Sequence, residues 1–330
     1  MALLELTGGA PVTALLGMCK NAGKTTALTR LIRECAAAGV TAGLTSIGRD
    51  GESRDLVTDT EKPPIYMYAG MLAATAEELL PLSDVSREIL AQTGVHTSLG
   101  EVVLFRARSD GFVQLAGPGI VEQLGPLREL FHAFGADRVL IDGALGRRSP
   151  AAGALDGCCI LSTGASLDRD MRRVAEETAY AAELLTLPER PAPGESAGRF
   201  TLFRNGGAEA LSDAAGLTGA LRTSGGTVLL SGALTEAQAA AILRCGGPLG
   251  KLTLLARDGS RFLLRRETFF RLRSMGVCFA VTRGTRLAAV TVNPVSAYGW
   301  RFDREEFLET MRAAVRVPVV DVGRYDGTEL

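Results

Sequence analysis

The chain has 330 residues, 46% hydrophobic, 22% charged and 5% aromatic, which is enough apolar side chain for a sizeable core and argues against disorder as its main state. Thirty-six basic residues stand against 37 acidic ones, a formal net charge of -1, so no global positive field draws in nucleic acid or an anionic lipid surface. The apolar windows fall short of the roughly 18 residues a membrane span needs, the opening MALLELTGGAPV lacks the basic and apolar parts of a targeting segment, and six cysteines without C-x-x-C spacing read as reduced thiols of a cytoplasmic protein.

Short β-branched runs alternate with alanine- and leucine-rich stretches, the pattern of an α/β protein with a mainly parallel sheet flanked by helices. The first predicted strand is 12–16. A glycine-rich turn follows, then a predicted helix over 24–38 with Leu28, Leu31, Ile32 and Cys35 at three- and four-residue spacing, ending at Gly39. Further strands are predicted at 40–47, 65–68, 101–106, 113–116, 138–142 and 158–162, with helices at 73–80, 85–92, 120–134 and 169–185. Three prolines in LPERPAPGESAGR (187–199) favour a linker. It would divide a nucleotide-binding domain (1–186) from a smaller α/β domain (200–330) that binds a partner or substrate. In that second domain the pattern predicts strands at 227–231, 277–281, 287–292 and 317–320, a helix at 235–244, and a hairpin over 251–264 turning at Asp258-Gly259.

The sharpest signal is GMCKNAGKTT, Gly17 to Thr26, between the first strand and the first helix. Backbone N–H groups converging at a helix N-terminus offer a polyphosphate its donors, and the helix dipole adds positive potential. Gly17, Lys20, Asn21, Ala22, Gly23, Lys24, Thr25 and Thr26 are therefore the candidate nucleotide-binding residues. Gly23 lets the backbone approach, Lys24 suits the β- and γ-phosphate oxygens, and Thr25 suits Mg²⁺. The spacing departs from G-x4-G-K-[ST] by one residue, and Met18 stands where a glycine is usual. Only four lysines occur, Lys20, Lys24, Lys62 and Lys251, so two of them fall in this loop. Lysine is the compact point charge of the two basic residues, which suits contact with phosphate.

A metal-side carboxylate is expected at the end of another buried strand, and Arg138-Val139-Leu140-Ile141-Asp142-Gly143 supplies Asp142. Gly143 offers an N–H to a γ-phosphate, and Arg147 in the loop that follows suits the charge on a transferred phosphoryl group. A polar loop after the second strand adds Asp50 and Asp55 as metal or water-orienting groups beside Thr25 and Asp142. His96 and His132 are the only histidines and lack metal-ligand neighbours, so no zinc site is expected. Cys158-Cys159 reads as core packing, and Asn293 before Pro294 as a base-reading or turn-capping residue. No N-K-x-D guanine signature occurs, which leaves ATP as the expected nucleotide.

The Gly17–Thr25 spacing with Ile141-Asp142-Gly143-Ala144-Leu145-Gly146 resembles the dethiobiotin-synthetase branch of the phosphate-loop NTPases, over roughly the first 185 residues. The longer strings GMCKNAGKTT, LTSIGRDGE and LIDGALGRRS are similar to the ATP-binding components of lysine 5,6-aminomutase reactivases. The resemblance implies ATP and Mg²⁺ as cofactors, an ATPase role as a reactivating chaperone or switch, and as partners an adenosylcobalamin-dependent aminomutase, a MutS-like subunit or both. A homodimer is also compatible. The alternative is a small-molecule kinase or ATP-dependent ligase, its second substrate met by Lys20, Lys62 or Arg147. A nucleotide sensor that binds without turnover is a third reading.

Overall fold

The computed structural model describes residues 2–47, 54–55, 60–61, 64–143 and 156–323. It is an α/β protein. Contacts divide it into two compact units, one formed by Tyr180–Thr285 and the other by the described residues on either side.

The first unit is built on a nine-stranded sheet. In chain order its elements are β1 (Val12–Gly17), α1 (Lys24–Ala37), β2 (Ala42–Ser46), β3 (Leu72–Ala76), β4 (Arg87–Thr97), β5 (Gly100–Ala107), α2 (Leu124–Ala133), β6 (Arg138–Asp142), β7 (Cys158–Gly164) and α3 (Met171–Leu185), the last running on into the second unit. After the second unit come β13 (Arg286–Asn293), α7 (Arg304–Ala314) and β14 (Val319–Asp321). The strand order is β14-β13-β7-β1-β6-β2-β3-β5-β4. Pairing is parallel from β14 through β3 and antiparallel at β3/β5 and β5/β4, so the sheet is mixed. β1, β2, β3 and β7 are buried at every residue, as strands covered on both faces must be.

Helix α1 forms as its spacing predicts. Leu28, Leu31, Ile32 and Cys35 lie on one stripe and join Leu15, Leu44, Leu140 and Ile160 in one core cluster. Each buried leucine or isoleucine is worth about 1.5–3 kcal/mol before entropy is set against it. Gly43 in β2 is there for space, since a Cβ would lie 2.4 Å from a Phe131 ring carbon.

Two predicted helices are strands. Over 73–80 the chain forms β3 and then a 3-10 turn, Glu77–Leu82. Alanines favour a helix in isolation, but here Ala73, Ala74 and Ala76 fill the narrow space of a fully buried strand, and packing overrides propensity. Over 85–92 the chain forms part of β4, the edge of the sheet, where half-exposure blurs the alternation that marks a strand. Gly94, at φ +71°, also breaks any helical run.

In the second unit β8 (Phe200–Arg204), β9 (Gly207–Leu211), α4 (Ala214–Leu221), β10 (Gly226–Leu230), α5 (Glu236–Arg244), β11 (Leu252–Ala256), α6 (Arg266–Ser274) and β12 (Cys278–Val281) make a five-stranded sheet, order β9-β8-β10-β11-β12, with its helices. The hairpin expected over 251–264 is absent. β11 pairs in parallel with β10 and β12, while Phe262–Leu263 pairs with Leu234–Thr235. Asp258 accepts from Ser260 N and caps a short 3-10 turn, which carries the chain out of the sheet.

The domain division also differs from the expected one. Segment 187–199 has no regular element but lies inside the second unit, with Arg190 N donating to Val281 O and Gly284 N to Glu189 Oε2. Residues beyond Arg286 return to the first sheet, because β13 pairs with β7 along its length. No described helix is long and apolar enough to cross a membrane.

Candidate functional site

The candidate loop leaves β1 at its carboxyl end. Met18 N donates to Ser162 O at 2.9 Å, which extends the β1/β7 ladder by one bond, and the buried side chains of Met18 and Ala22 seat the loop on the core. Two residues then take left-handed conformations, Asn21 at φ +59° and Gly23 at φ +91°, as a tight turn into a helix requires. Gly23 is also confined, since a Cβ there would lie 3.1 Å from Asn293 Cβ.

Gly23 is the N-cap of α1, and no side chain caps the helix. Ala27 N makes the first intrahelical bond, to Gly23 O. The N–H groups of Lys24, Thr25 and Thr26 therefore precede the ladder and have no acceptor among the described residues. They line the opening turn with donors and the positive end of the dipole.

β6 lies beside β1 and brings Asp142 to the same end of the sheet, with Asp142 opposite Leu15. Asp142 is 4% exposed. Lys24 Nζ stands 2.9 Å from its Oδ1 and donates to the carbonyl of Gly143. The Asp142 contact is an ion pair without hydrogen-bond alignment, so Oδ1 is a buried carboxylate oxygen with no hydrogen bond among the described residues. Gly143 N donates to Leu15 O, and a Cβ at Gly143 would meet that same oxygen at 2.5 Å. Glycine is what allows the chain to leave β6 so close to β1.

This arrangement fits a metal-bound polyphosphate. A run of unpaired N–H groups suits anionic oxygens, and a buried carboxylate at the end of β6 suits a hard cation that keeps most of its water. Among the described residues no three His, Cys, Asp or Glu side chains converge on one point, so such a cation would take its remaining ligands from phosphate and solvent.

The structure brings together Gly17, Lys20, Asn21, Ala22, Gly23, Lys24, Thr25, Thr26, Asp142 and Gly143 at the carboxyl ends of β1 and β6. Asp50 and Arg147 lie outside the described residues, as does the side chain of Asp55, whose backbone pairs with Thr60. Asn293 reaches the site from the far end of the sequence: it ends β13, its carbonyl accepts from Ala165 N and its Oδ1 from Val295 N. A buried polar ladder beneath, Thr291 Oγ1 donating to Ser162 Oγ at 2.8 Å, escaped sequence reading. So did the grouping in which Trp300 Nε1 donates to Ala165 O while Arg169 lies 4.7 Å over the indole ring. A lone tryptophan was the only signal. No family model matches the chain, and no curated protein or solved structure shows significant similarity to it.

Proposed function

We propose that this chain is a Mg²⁺-dependent ATP-binding protein of the phosphate-loop class, and an ATPase that acts as a switch or reactivating chaperone for a partner enzyme. The observation that carries the reading is the placement of Lys24, at the first turn of α1, against the under-bonded buried carboxylate of Asp142. A structural ion pair has no need of a glycine-built turn with unpaired amides beside it.

On binding, the amides of the loop and of the first turn of α1 hold the phosphates, and Lys24 leaves Asp142 for the β- and γ-phosphate oxygens. Asp142 and the Thr25 hydroxyl are the residues that would hold Mg²⁺, which would supply charge neutralisation when bound. The Gly143 N–H is already committed to Leu15 O, so sensing a γ-phosphate through it requires the end of β6 to shift. The resemblance in sequence makes an adenosylcobalamin-dependent aminomutase the proposed partner. The test is ATP turnover with and without that mutase: slow release of free phosphate alone and faster release with the partner supports the switch, whereas a phosphorylated metabolite formed in step with ADP establishes a kinase instead.

A further inference from the structure

Residues 180–285 carry 13 basic and 8 acidic side chains, while the rest of the chain carries 23 and 29. The positive excess is concentrated around α6. From Leu263 to Met275 there are four arginines and one glutamate, and three large apolar side chains in the same stretch face solvent: Leu263 at 49%, Phe270 at 43% and Met275 at 43% exposure. Helical spacing explains the face. Phe269 and Leu272 turn inward to the core, which leaves Glu267, Phe270, Arg271 and Ser274 outward. Exposed large apolar side chains interspersed with arginines along one stretch are the composition of an interface rather than of an ordinary solvated helix.

α7 offers the complementary chemistry. Its inward residues Phe307, Leu308 and Met311 are buried, and its exposed charges, Asp303, Glu305, Glu306 and Glu309 against Arg312, are acidic in balance. We propose that the α6 face docks a second copy of this chain through the acidic face of α7. Packing α6 against its own copy is disfavoured, because Arg265 and Arg271 would confront the same two, Arg273 being paired with Glu183 of its own chain. The contact is isologous where a two-fold pairs α6 with α7 twice over, and otherwise heterologous, closing as a ring or extending into a chain of subunits. This inference does not depend on the nucleotide reading.

Sedimentation velocity on the full-length protein tests it. The expected result is reversible self-association at low ionic strength, with a dissociation constant raised at least about tenfold by high salt, where surface charges are screened. Phe270→Ser and Arg271→Glu, both at exposed positions and checked by circular dichroism, are each expected to weaken association at least about tenfold, with Met275→Ser as a further variant should either fail to fold. Adding Glu306→Arg to Arg271→Glu is expected to restore it. A chain that stays monomeric to about 100 μM at low salt, association indifferent to Phe270→Ser and Arg271→Glu, or a charge-swapped pair that recovers nothing would each overturn the proposal.

Discussion

Lys24 and Asp142 neutralise each other: the ammonium at the start of α1 lies 2.9 Å from the carboxylate that ends β6, with side-chain exposures of 16% and 5%. On the proposed function, a phosphate that binds Lys24 would exchange one anionic partner of the ammonium for another.

Lys24→Ala is therefore expected to do two things. It removes the phosphate contact, so MgATP affinity should fall at least about a hundredfold. It also leaves Asp142 buried and uncompensated, which should lower stability by about 1–3 kcal/mol. Titration calorimetry and urea unfolding read the two effects separately. Lys24→Arg keeps the charge but not the compact shape, so it should recover stability better than affinity. An alanine variant with wild-type affinity would refute the phosphate role.

Asp142→Asn keeps the shape and removes the charge. If this oxygen serves the metal, the variant should lose Mg²⁺-dependent turnover by about 10²–10³-fold, while nucleotide binding in EDTA changes little or strengthens, because Lys24 is no longer held by an anion. Parallel losses in both measurements would make Asp142 a structural partner of Lys24 and nothing more.

Glycine positions separate crowding from backbone conformation. At Gly143 a Cβ would meet the Leu15 carbonyl at 2.5 Å, backbone against backbone, so Gly143→Ala should cost about 1–3 kcal/mol and shift the end of β6. Gly39, just after α1, has φ +67° but nothing within 4 Å of its Cβ position, so Gly39→Ala should cost only about 1 kcal/mol, from conformation alone. Chemical denaturation gives both values, and a Gly143→Ala variant no worse than Gly39→Ala would contradict the packing.

What could be read in the sequence was local. The loop Gly17–Thr26 and the run ending in Asp142 each fit within ten residues, and the buried stripe of α1 follows from spacing alone. β3 was not legible, because its alanines owe their conformation to strands on either side. The domain boundary was misplaced for a related reason: three prolines mark 187–199 strongly, whereas the pairing of Arg286–Asn293 with Cys158–Gly164 joins segments that no local pattern connects. Asn293 arrives beside Gly23 through that same pairing, so its sequence gives only an asparagine before a proline.

The cysteines give a test that needs no ligand to begin. Burial pushes the Cys35 thiol up to about 11, with the neighbouring Glu34 carboxylate adding to it. Burial likewise raises Cys158 and Cys159. Cys19 and Cys278 are half-exposed. Because the thiolate is the reactive form, a disulfide reagent at pH 8 should modify Cys19 and Cys278 promptly and Cys35, Cys158 and Cys159 only on unfolding. The sign of the pH effect follows for Cys35: its folded-state value is raised, so its contribution to stability is full below about pH 9 and is lost as pH rises through about 11. Since Cys19 lies within Gly17–Thr26, where the nucleotide is proposed to bind, saturating MgATP should slow its modification while leaving Cys278 unchanged. Equal protection of both thiols would point to a general tightening of the fold, and protection of neither would place the nucleotide away from Gly17–Thr26.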